Sequence, residues 1–347
     1  VILYFTYKYF MNSEYEVSII IPAYNSEKTI KRSLEKVIGE SKKINSEIIV
    51  VDDCSTDRTK EIIKSFKDIK LIQLENNQGA GNARNKGAEV SKYENLCFID
   101  SDIEISNESI LNLVKRLKKD NNTGSVAATQ DLVNLNENSW SSNFVCLKSC
   151  YGVDEIKDEK IFSVCCSEFC VISKEFFFKI GKWKAFNKAG GEEFDIGYRI
   201  SKLSKKNIKI TSATYSGYWC DLRVRFKRII ERTTKYIPLL LEKKKFDTKG
   251  SFATLGQVVS SIITSLIIAY ILICLIFGNI FSVTTLVILI ILQLIVELKF
   301  LIFAKKQYGI KMIIFSLFGI QVINLGILFG ALIFFYNITI GKILSKS

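Results

Sequence analysis

The stretch that decides the fold opens with VSIIIPAYNSE at residues 17–27, a run of aliphatic residues that ends in polar side chains. The same pattern recurs three times, in EIIVVDDCSTD (47–57), KLIQL (70–74) and LCFID (96–100). Helical patterns begin between these runs, near Thr29, Thr59, Ala80 and Ser109, and a further strand begins with SVAAT at residue 125. Strands that alternate with helices predict an α/β domain with a mostly parallel, doubly wound sheet.

Polar clusters follow these strands, and ligands of doubly wound sheets bind beyond the carboxyl ends of the strands. Asp52 and Asp53 follow the second strand. Two adjacent carboxylates can accept hydrogen bonds from a base N–H and a ribose hydroxyl, or serve only as turn and N-cap residues. Asp100 and Asp102 follow the fourth strand and are separated by Ser101. Carboxylates in this spacing can hold a hard cation against a diphosphate.

Two further clusters carry glycines. GAGNAR (79–84) begins like a dinucleotide-binding fingerprint, but Arg84 replaces the third glycine and the motif follows the third strand, which disfavours a dehydrogenase. GGEEFD (190–195) places three acidic residues at the start of a predicted helix, more than dipole complementation requires. The chain has no histidine. Acid–base chemistry would therefore fall to carboxylates or to Tyr, Lys or Cys side chains.

Taken in order, these clusters resemble family 2 glycosyltransferases of the GT-A fold, including polyisoprenyl-phosphate glycosyltransferases and cell-surface glycan transferases. The matching pieces, spread over about residues 17–205, are VSIIIPAYN, VVDDCSTD, NNQGAGNARNKG, FIDSD and GGEEFD. The resemblance implies inverting transfer of a sugar from a nucleoside-diphosphate sugar, most commonly UDP-linked, with Mg²⁺ or Mn²⁺ as the cofactor.

The resemblance also implies roles for individual residues. Asp102, with Asp100, would bind the metal, and Arg84 would lie near the diphosphate. The family carries Glu-Asp where this chain has Glu192 and Glu193, and that Asp is its catalytic base; Glu193 takes the role by position, with Glu192 and Asp195 as alternatives. The implied nucleotide-sugar site consists of Pro22, Ala23, Tyr24, Asn25, Glu27, Asp52, Asp53, Gly79, Asn82, Arg84, Asp100 and Ser101.

The last third of the chain is apolar. Runs at 255–277, 281–303 and 312–336 each have the length of a membrane-spanning helix. Lysines precede the first run and separate the second from the third, which predicts a multi-pass cell-membrane protein with a cytoplasmic catalytic domain. A re-entrant third run is the alternative. The predicted organisation is a catalytic domain (15–221), a basic amphipathic interfacial segment (222–250) and a membrane region (251–347).

Composition limits the kinds of partner and metal that the chain is expected to bind. The net charge is +13, but much of it lies beside the apolar runs and no nucleic-acid motif is present, so no nucleic-acid partner is expected. The nine cysteines include Cys97, Cys165 and Cys166 in strand-like runs, which predicts reduced, buried thiols. Zinc binding is the alternative, although the cysteine spacings are loose.

The sequence leaves the identity of the sugar acceptor undecided between two classes. A polyisoprenyl phosphate is already ionised near neutral pH and needs little help from a base, whereas a hydroxyl of a lipid-linked glycan needs a base. Two other classes of protein remain. The Glu-Glu pair allows a catalytically inactive sugar-nucleotide-binding membrane subunit. A transporter subunit is disfavoured because Glu297 is the only acidic residue in the apolar runs, and it lies beside Lys299 near the end of a run.

Overall fold

The computed structural model describes residues 15–136, 139–151, 156–184, 191–243, 255–277 and 283–344. These residues fall into two compact units. The first consists of the described residues up to Leu135 and those from 156 to Tyr218. The second consists of the described residues from Asn136 to Tyr151 and from Trp219 onward.

The first unit is an α/β domain with one sheet, which has nine strands among the described residues. In chain order they are β1 (Glu16–Ala23), β2 (Asn45–Asp52), β3 (Ile69–Gln73), β4 (Asn95–Ile99), β5 (Ile103–Ile105), β6 (Thr123–Asn134), β7 (Glu159–Phe162), β8 (Phe169–Ser173) and β9 (Lys206–Gly217). Its helices are α1 (Ile30–Ser41), α2 (Thr59–Lys64), α3 (Ala80–Glu89), α4 (Ser109–Lys119), α6 (Lys174–Lys179) and α7 (Glu192–Lys202).

The sheet is mixed. Its strand order is β3-β2-β1-β4-β8-β6-β9-β5, with β7 also paired to β9. The pairs β2–β3, β1–β2, β1–β4 and β6–β9 are parallel. The other pairs, β4–β8, β6–β8, β5–β9 and β7–β9, are antiparallel. The predicted α/β class is confirmed. The parallel, doubly wound arrangement that the sequence predicts corresponds to the strands β3-β2-β1-β4, which form one half of the sheet.

Both faces of this sheet are covered, which explains the unbroken aliphatic runs of its parallel strands. Ile19 and Ile21 lie in the larger core cluster on one face. Ile20 and Phe98 lie in a second cluster with residues of α6 and α7. Helix α3 approaches β1 closely at Gly87, where a Cβ atom would lie 2.4 Å from Cγ2 of Ile20.

The predicted element starts agree closely with the structure. Helices begin at Ile30, Thr59, Ala80 and Ser109, and the predicted strands lie within β1, β2, β3, β4 and β6 to within one residue. The run around Cys165 and Cys166 resembles a strand in the sequence, but the structure places both residues in the loop between β7 and β8. All nine cysteines are free thiols, as predicted, and Cys97, Cys165 and Cys170 are buried.

The second unit is helical. Its described helices are α5 (Trp140–Cys150), α8 (Leu222–Lys243), α9 (Leu255–Phe277), α10 (Val283–Tyr308) and α11 (Ile310–Leu344). Three segments within α9, α10 and α11 are long and apolar enough to cross a membrane: Gly256–Phe277, Val283–Tyr308 and Ile310–Thr339. The predicted apolar segments are thereby confirmed as helices. Helix α11 is continuous over 35 residues, which favours a full third span over a re-entrant one.

Small residues let helices approach α11. A Cβ atom at Gly319 would lie 2.5 Å from the ring of Phe144 in α5. At Gly330 it would lie 2.6 Å from Cβ of Thr233 in α8. Close packing through glycine is a common way for apolar helices to associate. The segment that holds α5 therefore packs with the apolar helices, although the sequence places it inside the predicted 15–221 domain.

A buried polar network joins α9, α10 and α11. Ser260 Oγ donates to Oε1 of Glu297 at 2.7 Å and accepts from Gln293 Nε2 at 2.7 Å and from Asn324 Nδ2 at 2.9 Å. Thr264 Oγ1 accepts from the same Asn324 amide at 2.9 Å. Hydrogen bonds of this kind hold apolar helices in a fixed arrangement.

Candidate active site

The carboxyl ends of β1, β2 and β4 meet at one edge of the sheet, because these strands are adjacent and parallel. The loops after them are joined to each other. Asn25, with a positive φ of 48°, accepts a hydrogen bond from Thr56 N at 2.8 Å. Ser26 Oγ lies 2.8 Å from Ser101 Oγ, and either hydroxyl can donate. The residues after the first, second and fourth strands therefore come together, as the sequence predicts.

Asp53 is buried and accepts hydrogen bonds from the backbone of the loop after β3. Its two carboxylate oxygens accept from Gln78 N at 2.7 Å and from Gly79 N at 2.8 Å. Burial raises the pKa of Asp53, although these two N–H bonds oppose the effect. Asp52, also buried, accepts from Ser55 N at 3.2 Å. Both aspartates thus shape loops, while each carboxylate retains lone pairs for a second partner.

The remaining predicted nucleotide-binding residues line the same edge. Pro22 and Ala23 are buried at the end of β1, and Tyr24 is 48% exposed. Glu27 accepts from Arg58 N at 3.2 Å, and Asn82 donates to Gln78 O at 3.0 Å. An exposed tyrosine beside buried strand ends offers a surface on which a planar base can stack.

Arg84 lies inside the domain with 2% of its surface exposed. Its Nη2 donates to Oδ1 of Asp100 at 2.5 Å, and its guanidinium carbon lies 5.5 Å from the ring centroid of Trp183. Its Nε and Nη1 are buried without a hydrogen-bond partner among the described residues. Burial lowers the pKa of Arg84, but the charges of Asp100, Glu192 and Glu193 outweigh burial and leave the pKa above its ordinary value.

Asp100 and Asp102 follow β4, and they differ in environment. Asp100 is paired with Arg84, whereas Asp102 is exposed. Burial raises the pKa of Asp100; Arg84 opposes this effect, and the charges of Asp102 and Glu168 add to it. In the part of the chain that the structure describes, no three His, Cys, Asp or Glu side chains form a group able to hold a metal. The carboxylates of Asp100 and Asp102 fit a hard cation that takes its other ligands from a diphosphate and water.

The acidic residues of α7 are all buried. Helix α7 follows Gly191, whose φ is 105°. Glu193 accepts from Ser167 Oγ at 3.0 Å. Asp195 instead binds Arg199 at 2.7 Å and Lys184 at 3.3 Å. Because Arg199 also donates to Lys182 O at 2.8 Å, Asp195 helps to hold the segment that carries Trp183.

Three residues of this edge are absent from the sequence prediction. Trp183 stacks on Arg84 and exchanges two hydrogen bonds with Asn85, at 2.8 and 3.0 Å. Ser167 binds Glu193, and Glu168 accepts from Asp100 N through its backbone oxygen at 2.9 Å. None of the three belongs to a recognisable motif, so spacing alone gives no signal for them.

The glycosyl transferase family 2 model matches residues 18–181 of this chain. The chain is 44% identical over 88 residues to UDP-Glc:alpha-D-GlcNAc-diphosphoundecaprenol beta-1,3-glucosyltransferase WfaP of Escherichia coli, which covers 25% of this chain and 35% of that protein. It is 27% identical over 212 residues to glycosyltransferase GlyG of Streptococcus pneumoniae, covering 57% of this chain and 69% of that protein. The chain spans about a third of the length of the first curated relatives that it matches.

Two solved structures show weaker similarity. GalNAc-T7 with UDP, GalNAc and Mn²⁺ matches with a TM-score of 0.49 and 21% identity, over 59% of this chain and 44% of that one. The mannosyltransferase PcManGT from Pyrobaculum calidifontis, in complex with GDP-Man and Mn²⁺, matches with a TM-score of 0.48 and 17% identity, over 64% of each chain.

Proposed function

We propose a function on the premise that residues 18–181 form a glycosyl transferase family 2 domain. The protein would transfer a sugar from a nucleoside-diphosphate sugar to a membrane-associated acceptor, with inversion of the anomeric configuration. One observation carries the proposal. The buried Arg84 pairs with Asp100 at 2.5 Å and interacts with the charges of Glu192 and Glu193. Two of its nitrogens, Nε and Nη1, have no hydrogen-bond partner among the described residues. One edge of the sheet thus combines a fixed cation for a diphosphate with carboxylates for proton transfer.

The donor would lie across the ends of β1, β2 and β4. Tyr24 stacks on the base, while Asp52 and Asp53 accept hydrogen bonds from the base and ribose through lone pairs beyond those used in the loops. Arg84 would lie near the diphosphate, with Nε and Nη1 as its available donors. Asp102, with Asp100, would hold a divalent cation, Mg²⁺ or Mn²⁺, which would supply positive charge against the diphosphate.

In the transfer step, the acceptor oxygen forms a bond to the anomeric carbon as the bond from that carbon to the diphosphate oxygen breaks. The electron pair of the broken bond leaves with the nucleoside diphosphate. Glu193 accepts the proton of the acceptor hydroxyl. Attack opposite the leaving group inverts the anomeric configuration. Arg84 stabilises the charge that develops on the diphosphate, and this stabilisation is stronger in the transition state than in the bound donor.

For the acceptor we favour a hydroxyl of a lipid-linked glycan over a polyisoprenyl phosphate. The buried Glu193 with its serine partner is an arrangement that a proton-bearing acceptor needs and an ionised phosphate does not. The Escherichia coli relative is named for a UDP-Glc donor and a diphosphoundecaprenol-linked acceptor. Helices α9, α10 and α11 would keep the enzyme at the membrane, with the catalytic domain on the cytoplasmic side that the lysine distribution favours.

The test replaces Asp102 by Asn and measures nucleoside diphosphate released by detergent-solubilised protein with Mg²⁺ or Mn²⁺, a panel of sugar nucleotides and both acceptor types. Loss of a metal ligand should lower metal-dependent release by at least about 100-fold. The exposed Asp68 provides a matched control, because Asp68→Asn changes the same charge away from the site. Full activity of the Asp102 variant would refute the metal assignment. Donor binding without release by the wild type would identify an inactive binding subunit.

A further inference from the structure

The segment 163–168, between β7 and β8, contacts both sides of the proposed site. Cys165 N donates to the backbone oxygen of Glu193 at 3.1 Å. Two residues past the buried Cys165, the side chain of Ser167 also reaches Glu193. At the end of the segment, the backbone oxygen of Glu168 accepts from Asp100 N at 2.9 Å. Six consecutive residues therefore join the start of α7 to the end of β4.

Ser167 is placed to control the Glu193 side chain. Its Oγ donates to Oε1 of Glu193 at 3.0 Å, and the two residues are only 3% and 7% exposed. A hydroxyl that donates to a carboxylate favours the charged form of the acid and restricts its rotamers. Little water reaches this bond, so its effect on the carboxylate is larger than it would be at the surface.

The backbone on both sides of this hydrogen bond is held firmly. Helix α7 packs against the segment at Gly197, where a Cβ atom would lie 2.5 Å from Ser163 O and 2.7 Å from Val164 Cα. The segment and the helix therefore cannot shift toward each other to replace a lost hydroxyl contact. The Ser167 hydroxyl is therefore a fixed contact for the Glu193 carboxylate.

We propose that Ser167 is a positioning residue for Glu193. It holds the carboxylate in the orientation that accepts the proton of an acceptor hydroxyl. Ser167 itself neither touches the donor nor takes part in proton transfer. This inference rests on the proposed function, since it assigns Ser167 to the base of that reaction.

The experiment compares Ser167→Ala, Ser167→Thr and Ser163→Ala in the full-length protein, with Glu193→Gln as the reference for loss of the base. Ser163 is the matched control, because it lies in the same segment and its buried Oγ has no hydrogen-bond partner among the described residues. Nucleoside diphosphate release is measured with a lipid-linked glycan acceptor over a range of donor concentrations. Thermal unfolding of each variant is measured beside it.

A hydrogen bond to a charged group is worth enough to change a rate by about 10- to 100-fold. We therefore expect Ser167→Ala to lower kcat by about that factor with little change in the donor KM. Ser167→Thr should restore most of kcat because it keeps the hydroxyl, and Ser163→Ala should behave as wild type.

The other outcomes distinguish a wrong role for Ser167 from a wrong proposed function. If the wild type releases nucleoside diphosphate and Ser167→Ala is equally active, the proposed role of Ser167 is overturned while the proposed function stands. Equal losses in the Ala and Thr variants with lowered unfolding temperatures would also overturn it, in favour of packing. A wild type without metal-dependent turnover would overturn the proposed function, and the role of Ser167 with it.

Discussion

Replacing Glu297 by Gln should destabilise the second unit, because it leaves the ammonium group of Lys148 buried without its counter-ion. In the native protein Lys148 Nζ lies 2.7 Å from Oε2 of Glu297, and their side chains are 14% and 7% exposed. Breaking a buried ion pair from one side typically costs about 3–5 kcal/mol. The glutamine side chain keeps an oxygen that can still accept a hydrogen bond from Lys148 Nζ, which offsets about 1 kcal/mol of this cost. The net loss for Glu297→Gln is therefore about 2–4 kcal/mol.

The reverse change removes the other partner. Lys148→Met leaves the carboxylate of Glu297 with the Ser260 hydroxyl as its remaining donor among the hydrogen bonds described above. It should lose about 3–5 kcal/mol. The double variant removes both charges and keeps similar volumes, so it should be more stable than either single variant. The coupling energy from the double-mutant cycle should then exceed the larger single loss, which is about 3–5 kcal/mol.

The assay is thermal unfolding in one detergent at one protein concentration. For a domain of this size each kcal/mol lowers the unfolding temperature by about 2–4 °C, so Glu297→Gln should lower it by about 4–16 °C. Lys299, exposed two residues along α10, supplies the control Lys299→Met, which should stay close to wild type. Strictly additive effects in the double variant, or single variants as stable as the control, would refute the role of the pair.

Three further changes test the first unit. Arg84→Lys keeps the charge but loses the planar fork, so kcat/KM for the donor should fall about 10-fold or more; unchanged kinetics of nucleoside diphosphate release would contradict the role of Nε and Nη1. Gly197→Ala forces a Cβ atom to 2.5 Å from a backbone oxygen and should destabilise the protein by about 1–3 kcal/mol. Gly39→Ala in α1, with no atom within 4 Å of the new Cβ, should stabilise it by about 0.5–1 kcal/mol. Thermal unfolding of the two glycine variants gives both results, and equal stabilities would contradict the packing argument.

The parallel half of the sheet could be predicted because its strands are buried on both faces. Val17 to Pro22 and the runs at 47–51 and 96–100 read as strands without reference to the rest of the chain. Strand β5 has three residues and β7 has four, so neither leaves a pattern. Their existence depends on pairing with residues of β9 that lie 45 or more positions later in the chain.

Helix α5 shows the limit of local reasoning about domains. Phe144 and Leu147 would suit the core of either unit, and the chain continues on both sides into strands of the first unit. What decides its place is tertiary contact, since the ring centroid of Phe144 lies 6.1 Å from that of Phe300 and 5.8 Å from that of Phe315. Glu297 lies two positions from Lys299 in the chain, but the structure pairs it with Lys148, 149 positions earlier.

The charges around Arg84 bear on the metal dependence that we propose for this site. Among the interacting groups at this edge Arg84 is the one buried cation, and it faces the carboxylates of Asp100, Glu192 and Glu193. Asp102 and Glu168 add their charges at Asp100. A diphosphate that entered such a cluster would meet more negative than positive charge, and Coulomb repulsion at these separations is large away from bulk water. In the proposed function, Nε and Nη1 of Arg84 would orient the diphosphate but would leave the charge unbalanced, and this acidic excess supports the divalent metal dependence that we propose.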